Sequence, residues 1–223
     1  MGGATFAALA SQLQPAGAAT PAPAKTPRIP PLNFSVASFD TLLGRPAAHR
    51  HLFASTKIDD GTVLDAMHNT VRAYTEVGID AGQVFPVAVL YHGVSIALAF
   101  DDAAWNQWLI PALPKYLKDE HDDVDDLKAG KGNPFLHRAD QTDGNFDASI
   151  ETLVTQAGAH FFVCDHALRG LSGSLAGTAN LSQAQVYDRL TKALIPSASV
   201  VPAGVWAVHA IQERRFTYLQ TTL

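Results

Sequence analysis

The sequence contains a single cysteine, Cys164, among 223 residues. One thiol excludes a disulfide within the chain and cannot alone furnish a cysteine-rich metal site. Positive charge is also scarce: 16 Lys and Arg stand against 21 Asp and Glu, for a formal net charge of −5. A nucleic-acid binder needs clustered cations to neutralise phosphates, so nucleic acid is not an expected partner. No G-x-G-x-x-G follows the first expected strand and no P-loop occurs, which leaves nucleotide cradling without support, and no cofactor is expected. Gly170-Leu171-Ser172-Gly173-Ser174 lacks the G-x-S-x-G spacing of a hydrolase nucleophile elbow. The apolar runs stop short of the ~20 residues that a membrane helix needs, so the chain is not expected to be membrane-embedded.

What remains is the composition of a folded protein, 47% hydrophobic and 17% charged. Residues 1–33 differ from the rest. They hold six of the 13 prolines, and a run from Ala4 to Ala19 consists mostly of Ala, Gly and small polar residues, with no charge before Lys25. This resembles the apolar segment and cleavage zone of a secretory leader, with a cut near Ala16 to Ala19, followed by a Pro-rich disordered spacer. A basic n-region is missing, so the stretch is either the inner part of a longer leader or a flexible tail. An exported, periplasmic location is expected on the first reading and a cytoplasmic one on the second. Residues 34–223 are expected to form one α/β domain.

Along that domain, His51 to Ile58 reads as a strand, followed by helical spacing at Val63, Leu64, Met67, Val71 and Tyr74 that stops at Gly78. Val84 to Tyr91 is a continuous apolar strand. A helix is expected from Asp101 to Leu109, with Trp105 and Leu109 inward. Pro114 to Gly144 is polar, and six of the eight residues from Asp119 to Asp126 are acidic; their spacing lacks the Gly and final Glu of an EF-hand loop and reads as a solvated excursion. A helix from Phe146 to Gly158, a strand from His160 to Cys164, a helix from Ala167 broken at Ser172-Gly173-Ser174, and a Ser182-capped helix to Leu194 come next. Ser199 to Val201, Ala203 to Gln212 and Phe216 to Gln220 complete the alternation. Five strands alternating with helices select a mostly parallel sheet with helices on both faces.

In such sheets ligands bind beyond the carboxyl ends of the strands. There the sequence places Ser55 to Lys57, His92-Gly93, Cys164-Asp165-His166 and Pro202 to Gly204. Cys164 ends a strand and opens a helix, where free amides and the helix dipole favour a thiolate, while the carboxylate of Asp165 opposes it unless it turns out to solvent. A buried filler cysteine fits the same position. His92 and His166 are placed to tune the thiol or move protons, or are hydrogen-bonded core histidines. Cys164, His166 and His92 make a chemically allowed metal set, with Asp165 or water as fourth ligand, but no local spacing enforces it.

Three stretches together resemble the DsrE/DsrF-like sulfur-relay family, in particular its exported members with twin-arginine leaders: Val89-Leu90-Tyr91-His92-Gly93, Phe161 to Gly170 around Cys164, and Val200 to Val208 with Pro202 and Gly204. Gly132-Asn133-Pro134-Phe135, Gln212-Glu213-Arg214 and Tyr218 are also similar to such members. The resemblance implies a flavodoxin-like three-layer sandwich, and a cysteine after an inner strand that carries sulfane sulfur as a persulfide, a position that Cys164 matches. It makes Cys164, His92 and His166 the candidate catalytic residues and Gly93, Asp165, Asn133, Pro202 and Gly204 the candidate substrate-binding ones. The alternative is a non-catalytic module of the same fold that binds a small ligand or metal. A sulfur donor or acceptor protein is the implied partner. A homo-oligomer is expected as well, both from the resemblance and from an exposed surface around Trp105, Trp108 and Trp206 that would need cover.

Overall fold

The computed structural model describes residues 28–92, 94–112, 131–137 and 148–221. Among the described residues, five strands form one all-parallel sheet in the order β4-β3-β2-β1-β5: β1 His49–Ser55, β2 Val84–Leu90, β3 His160–Cys164, β4 Ala198–Val201 and β5 Thr217–Gln220. Seven helices among the described residues flank it: α1 Val36–Leu43, α2 Thr62–Glu76, the short α3 Asp102–Ala104, α4 Ile150–Ala157, α5 Asp165–Ala179, α6 Gln183–Lys192 and α7 Gly204–Gln212. The result is an α/β sandwich with helices on both faces of a parallel sheet, as the alternating pattern implies, and it is consistent with the flavodoxin-like fold that the resemblance implies.

The layers follow from side-chain alternation along the strands. Phe53, Ala88, Leu90, Phe161 and Val163 point to one face and pack with Met67 and Val71 of α2, Leu153 of α4, Leu168 and Leu171 of α5 and Leu190 of α6. Leu52, Val87, Val89, Phe162 and Val201 point to the other and pack with Phe39 and Leu43 of α1 and Ala207 and Ile211 of α7. Each large apolar side chain buried in this way contributes roughly 2 kcal/mol. The links from β1 to β2, β2 to β3 and β3 to β4 put their helices on the first face. The link from β4 to β5 puts α7 on the second and returns the chain to the far side of β1, where strand order reverses.

Local chemistry sets the element ends. Gly158, at φ 58, stops α4 in the left-handed conformation, and Ser182 and Gln185 cap α6 reciprocally. Several elements depart from the sequence reading. β1 begins at His49, two residues early, and ends at Ser55, three early. The helix expected from Asp101 to Leu109 is α-helical only over Asp102–Ala104 and continues as a wider π-helical turn over Trp105–Leu109. The helix from Asp165 runs unbroken through Ser172-Gly173-Ser174, because the Ser172 hydroxyl donates to the Leu168 carbonyl at 2.7 Å and Leu168, Leu171 and Leu175 keep one buried stripe. Helix α1 was not anticipated at all. The expected leader and the acidic stretch 119–126 lie outside the described residues, but residues 28–33 of the expected spacer do not hang free: Ile29 packs on the first apolar layer, and Phe34 just beyond them packs on the second. Trp105 and Trp108 are buried, so the expected exposed tryptophan surface reduces to Trp206, 37% exposed. Among the described residues no helix is long and apolar enough to cross a membrane.

Candidate functional site

Cys164 is the last residue of β3 and the N-cap of α5. Its extended backbone, φ −67 and ψ 120, continues the strand, so alternation sends its side chain towards the face that holds Phe162 and Val201. It is buried, 5% exposed. It makes no side-chain hydrogen bond to the amides it caps. Val201 is its partner on β4, and Leu90 pairs with Val163, so Tyr91 comes level with Cys164 on the other side.

The sheet brings the other expected residues to the same edge. His92 and His166 are exposed, one just beyond β2 and one in the first turn of α5. Pro202 is half-buried in the turn between β4 and α7. Gly204 begins α7 without a side-chain cap, and a Cβ there would lie 1.7 Å from the Cβ of Tyr91. Glycine is needed at 204 so that α7 can close on the end of β2. Gly93 lies outside the described residues.

Asp165 differs from its expected form. It is buried, 6% exposed, and accepts from the Tyr187 hydroxyl at 2.6 Å and from Arg169 Nε at 2.6 Å. Its carboxylate does not turn out to solvent, and its charge is met by Arg169 four residues on. Burial first, then the Asp165 carboxylate, pushes the Tyr187 phenol up to about 12. The hydrogen bond to Asp165 likewise holds the Arg169 guanidinium above its usual range. Arg169 Nη2 also donates to the Pro30 carbonyl at 2.9 Å, so residues 28–34 are tied to the end of the sheet at which Cys164 sits. Asp165, Arg169 and Tyr187 therefore join α5, α6 and the N-terminal segment.

Asn133 is likewise committed to backbone. Its amide nitrogen donates to the carbonyls of Leu98 and Phe100, at 3.1 and 2.8 Å, and its side-chain oxygen accepts from the Phe135 amide at 3.0 Å. These bonds hold residues 131–137 against the segment that leaves β2. Among the described residues no three of His, Cys, Asp and Glu gather as metal ligands, so Cys164, His92 and His166 do not make the metal set that their types allow.

Sequence reasoning missed Arg169, Tyr187 and Tyr91. The first carried a signal, an Asp and an Arg at i and i+4 on an expected helix; Tyr187 acts across two helices and carried none. No family model matches the chain and no curated protein matches it. Among solved structures, a protein of unknown function from Methanobacterium thermoautotrophicum, MTH1491, is similar at 13% identity over 77% of this chain and 98% of its own, with a TM-score of 0.38, a likeness too slight to carry an assignment.

Proposed function

We propose that the protein handles sulfur through Cys164, in the manner of the DsrE/DsrF-like relay proteins that its sequence resembles. The observation that carries this reading is the placement of the one thiol at the uncapped N-terminus of a 15-residue helix, on the carboxyl edge of a parallel sheet. The free amides of the first turn and the helix dipole favour negative charge on sulfur, in a thiolate and equally in a persulfide. The Cys164 thiolate attacks the outer sulfur of a donor persulfide, its S–S bond breaks, and the donor leaves as a thiolate while Cys164 carries the sulfane sulfur. An acceptor thiolate reverses the step. His92 and His166 flank this edge as the groups that exchange protons with solvent. The same reading makes the protein an exported homo-oligomer.

The burial of Cys164 favours a second reading, a non-catalytic small-ligand module in which the thiol is packing. Intact mass of protein purified from its own host, before and after cyanide, separates the two. Sulfur handling gives a species heavier by one sulfur atom that cyanide removes and that Cys164→Ser lacks. A single unmodified mass leaves the binding module as the account.

A further inference from the structure

A second site lies at the opposite edge of the sheet from Cys164, where β1 and β5 begin side by side. A hollow of about 390 Å³ opens there, walled by Ala47, Ala48, Arg50, Arg214 and Arg215. Three guanidiniums around one hollow are a local feature, because the chain as a whole carries a formal net charge of −5.

Two of the three are fixed by the fold itself. Arg50 donates to the Leu43 carbonyl at 3.2 Å and to that of Arg45 at 3.0 Å, and its guanidinium lies 5.6 Å from the centre of the Phe216 ring. Arg214 donates to Asp40 through Nε, at 2.9 Å, and through Nη2, and to the Ala210 carbonyl through Nη1. A guanidinium has five N–H donors, so both keep donors beyond these bonds. Arg215 is different. It is exposed, and among the described residues its side chain donates to nothing. Its backbone sits at φ 64, where glycine or asparagine is favoured, and its amide donates to the Gln212 carbonyl at 2.9 Å. Asp40 is the one carboxylate bonded to any of the three among the described residues, and the exposed Glu213 pairs with none of them. The hollow therefore keeps a surplus of two positive charges.

We propose that this hollow binds the phosphate group of a small molecule, with Arg215 closing on oxygens that Arg50 and Arg214 also face. The surplus of positive charge matches a phosphate dianion better than a carboxylate, and planar guanidiniums suit phosphate oxygens. Because Arg50 and Arg214 are already held, only the Arg215 side chain has to be ordered on binding, which keeps the entropic cost low. The volume lies in the range of small-molecule pockets and leaves room beyond the phosphate, along Ala47 and Ala48. A single hollow in an acidic chain does not suit a polyanion such as nucleic acid. The proposal does not depend on the chemistry of Cys164.

The test titrates the full chain with inorganic phosphate, glycerol 3-phosphate and acetate at constant ionic strength. Arginine Nε–H signals are followed by NMR, with Arg72, paired to Glu76 on α2, as the reference. The phosphate probes are expected to move the Arg215 and Arg50 signals, to leave Arg72 in place, and to bind about tenfold more tightly than acetate. Whichever of the two binds more tightly tells whether the ligand is free or esterified phosphate. Arg215→Gly is expected to weaken phosphate binding about tenfold while the urea midpoint holds or rises, since glycine suits φ 64. Arg215→Lys, which keeps the charge and loses the fork, should fall between. Shifts of Arg72 as large as those of Arg215, acetate binding as tightly as phosphate, or unchanged phosphate binding by folded Arg215→Gly would each overturn the proposal. The first two readouts use the unaltered chain and decide the matter even where a variant fails to fold.

Discussion

The two edges of the sheet are built by opposite chemistry. At the amino edge, helix C-termini converge and arginines close them: Arg45 donates to the Ala157 and Gly158 carbonyls at 2.7 Å each, Arg50 to those of Leu43 and Arg45 at 3.2 and 3.0 Å, and Arg214 to that of Ala210 and to Asp40. The same guanidiniums lie over Phe85, Phe216 and Phe39, so each joins a helix dipole to the core. At the carboxyl edge the helices that follow β1, β3 and β4, namely α2, α5 and α7, begin without a side-chain cap. Elsewhere, α1, α4 and α6 each start at a serine whose hydroxyl accepts from the first turn. One edge is closed by the chain's own guanidiniums; at the other, three helices start without a side-chain bond from the N-cap residue, beside the one cysteine and two exposed histidines.

Substitutions can break this contrast. The largest effect is expected where the carboxyl edge is tight. Gly204→Ala sets a Cβ onto Tyr91 and costs about 3 kcal/mol, read as a lower urea midpoint; an unchanged midpoint would mean that α7 does not close on β2 as described.

Acid should act on the amino edge. His160, the first residue of β3, meets Ser199 Oγ at 2.9 Å, and burial pushes it down to about 4 from 6.5. Below pH 6.5 the unfolded chain therefore takes up a proton that the folded one refuses. Stability is complete above pH 6.5 and falls as pH drops towards 4, by up to about 3 kcal/mol. Urea midpoints between pH 7 and 4 should show this loss, and His160→Phe should flatten it, while His92→Ala and His166→Ala leave it in place.

Arg45→Ala removes two charge-assisted bonds and the contact with Phe85, and is expected to cost about 2 kcal/mol by the same measurement, against less than about 0.5 for the exposed His166→Ala. Equal effects at the two edges would erase the distinction between them. The smallest change is Ile29→Ser, which costs about 1 kcal/mol and loosens residues 28–34. Its readout is kinetic: iodoacetamide should label Cys164 of the folded protein several-fold faster. An unchanged rate would show that this segment does not guard the thiol.

Much of this contrast was legible in the sequence, on one side only. The apolar runs Val84 to Leu90 and His160 to Cys164 declare buried strands, and the residue types that follow them mark the carboxyl edge, because strand and helix periodicities are local. The arginine closures of the amino edge were not legible: Arg45 reaches Gly158 across 113 residues, a distance no local pattern carries. Helix α1 could have been read from Ser35 followed by Val36, Phe39 and Leu43 at helical spacing, but it borders a Pro-rich stretch whose composition masks it. Asp165 was legible as a neighbour of Cys164 and not as a buried acceptor, since its orientation is fixed by Tyr187 from another helix.

The central claim is that the carboxyl edge serves chemistry at Cys164. Its most direct test is to treat the folded protein with glutathione persulfide and follow intact mass. The account predicts a gain of one sulfur atom, placed on Cys164 by peptide mapping, removed by cyanide or by an acceptor thiol, and absent from Cys164→Ser. No gain while the protein is folded, with addition only after unfolding, would contradict it and leave Cys164 a packing residue.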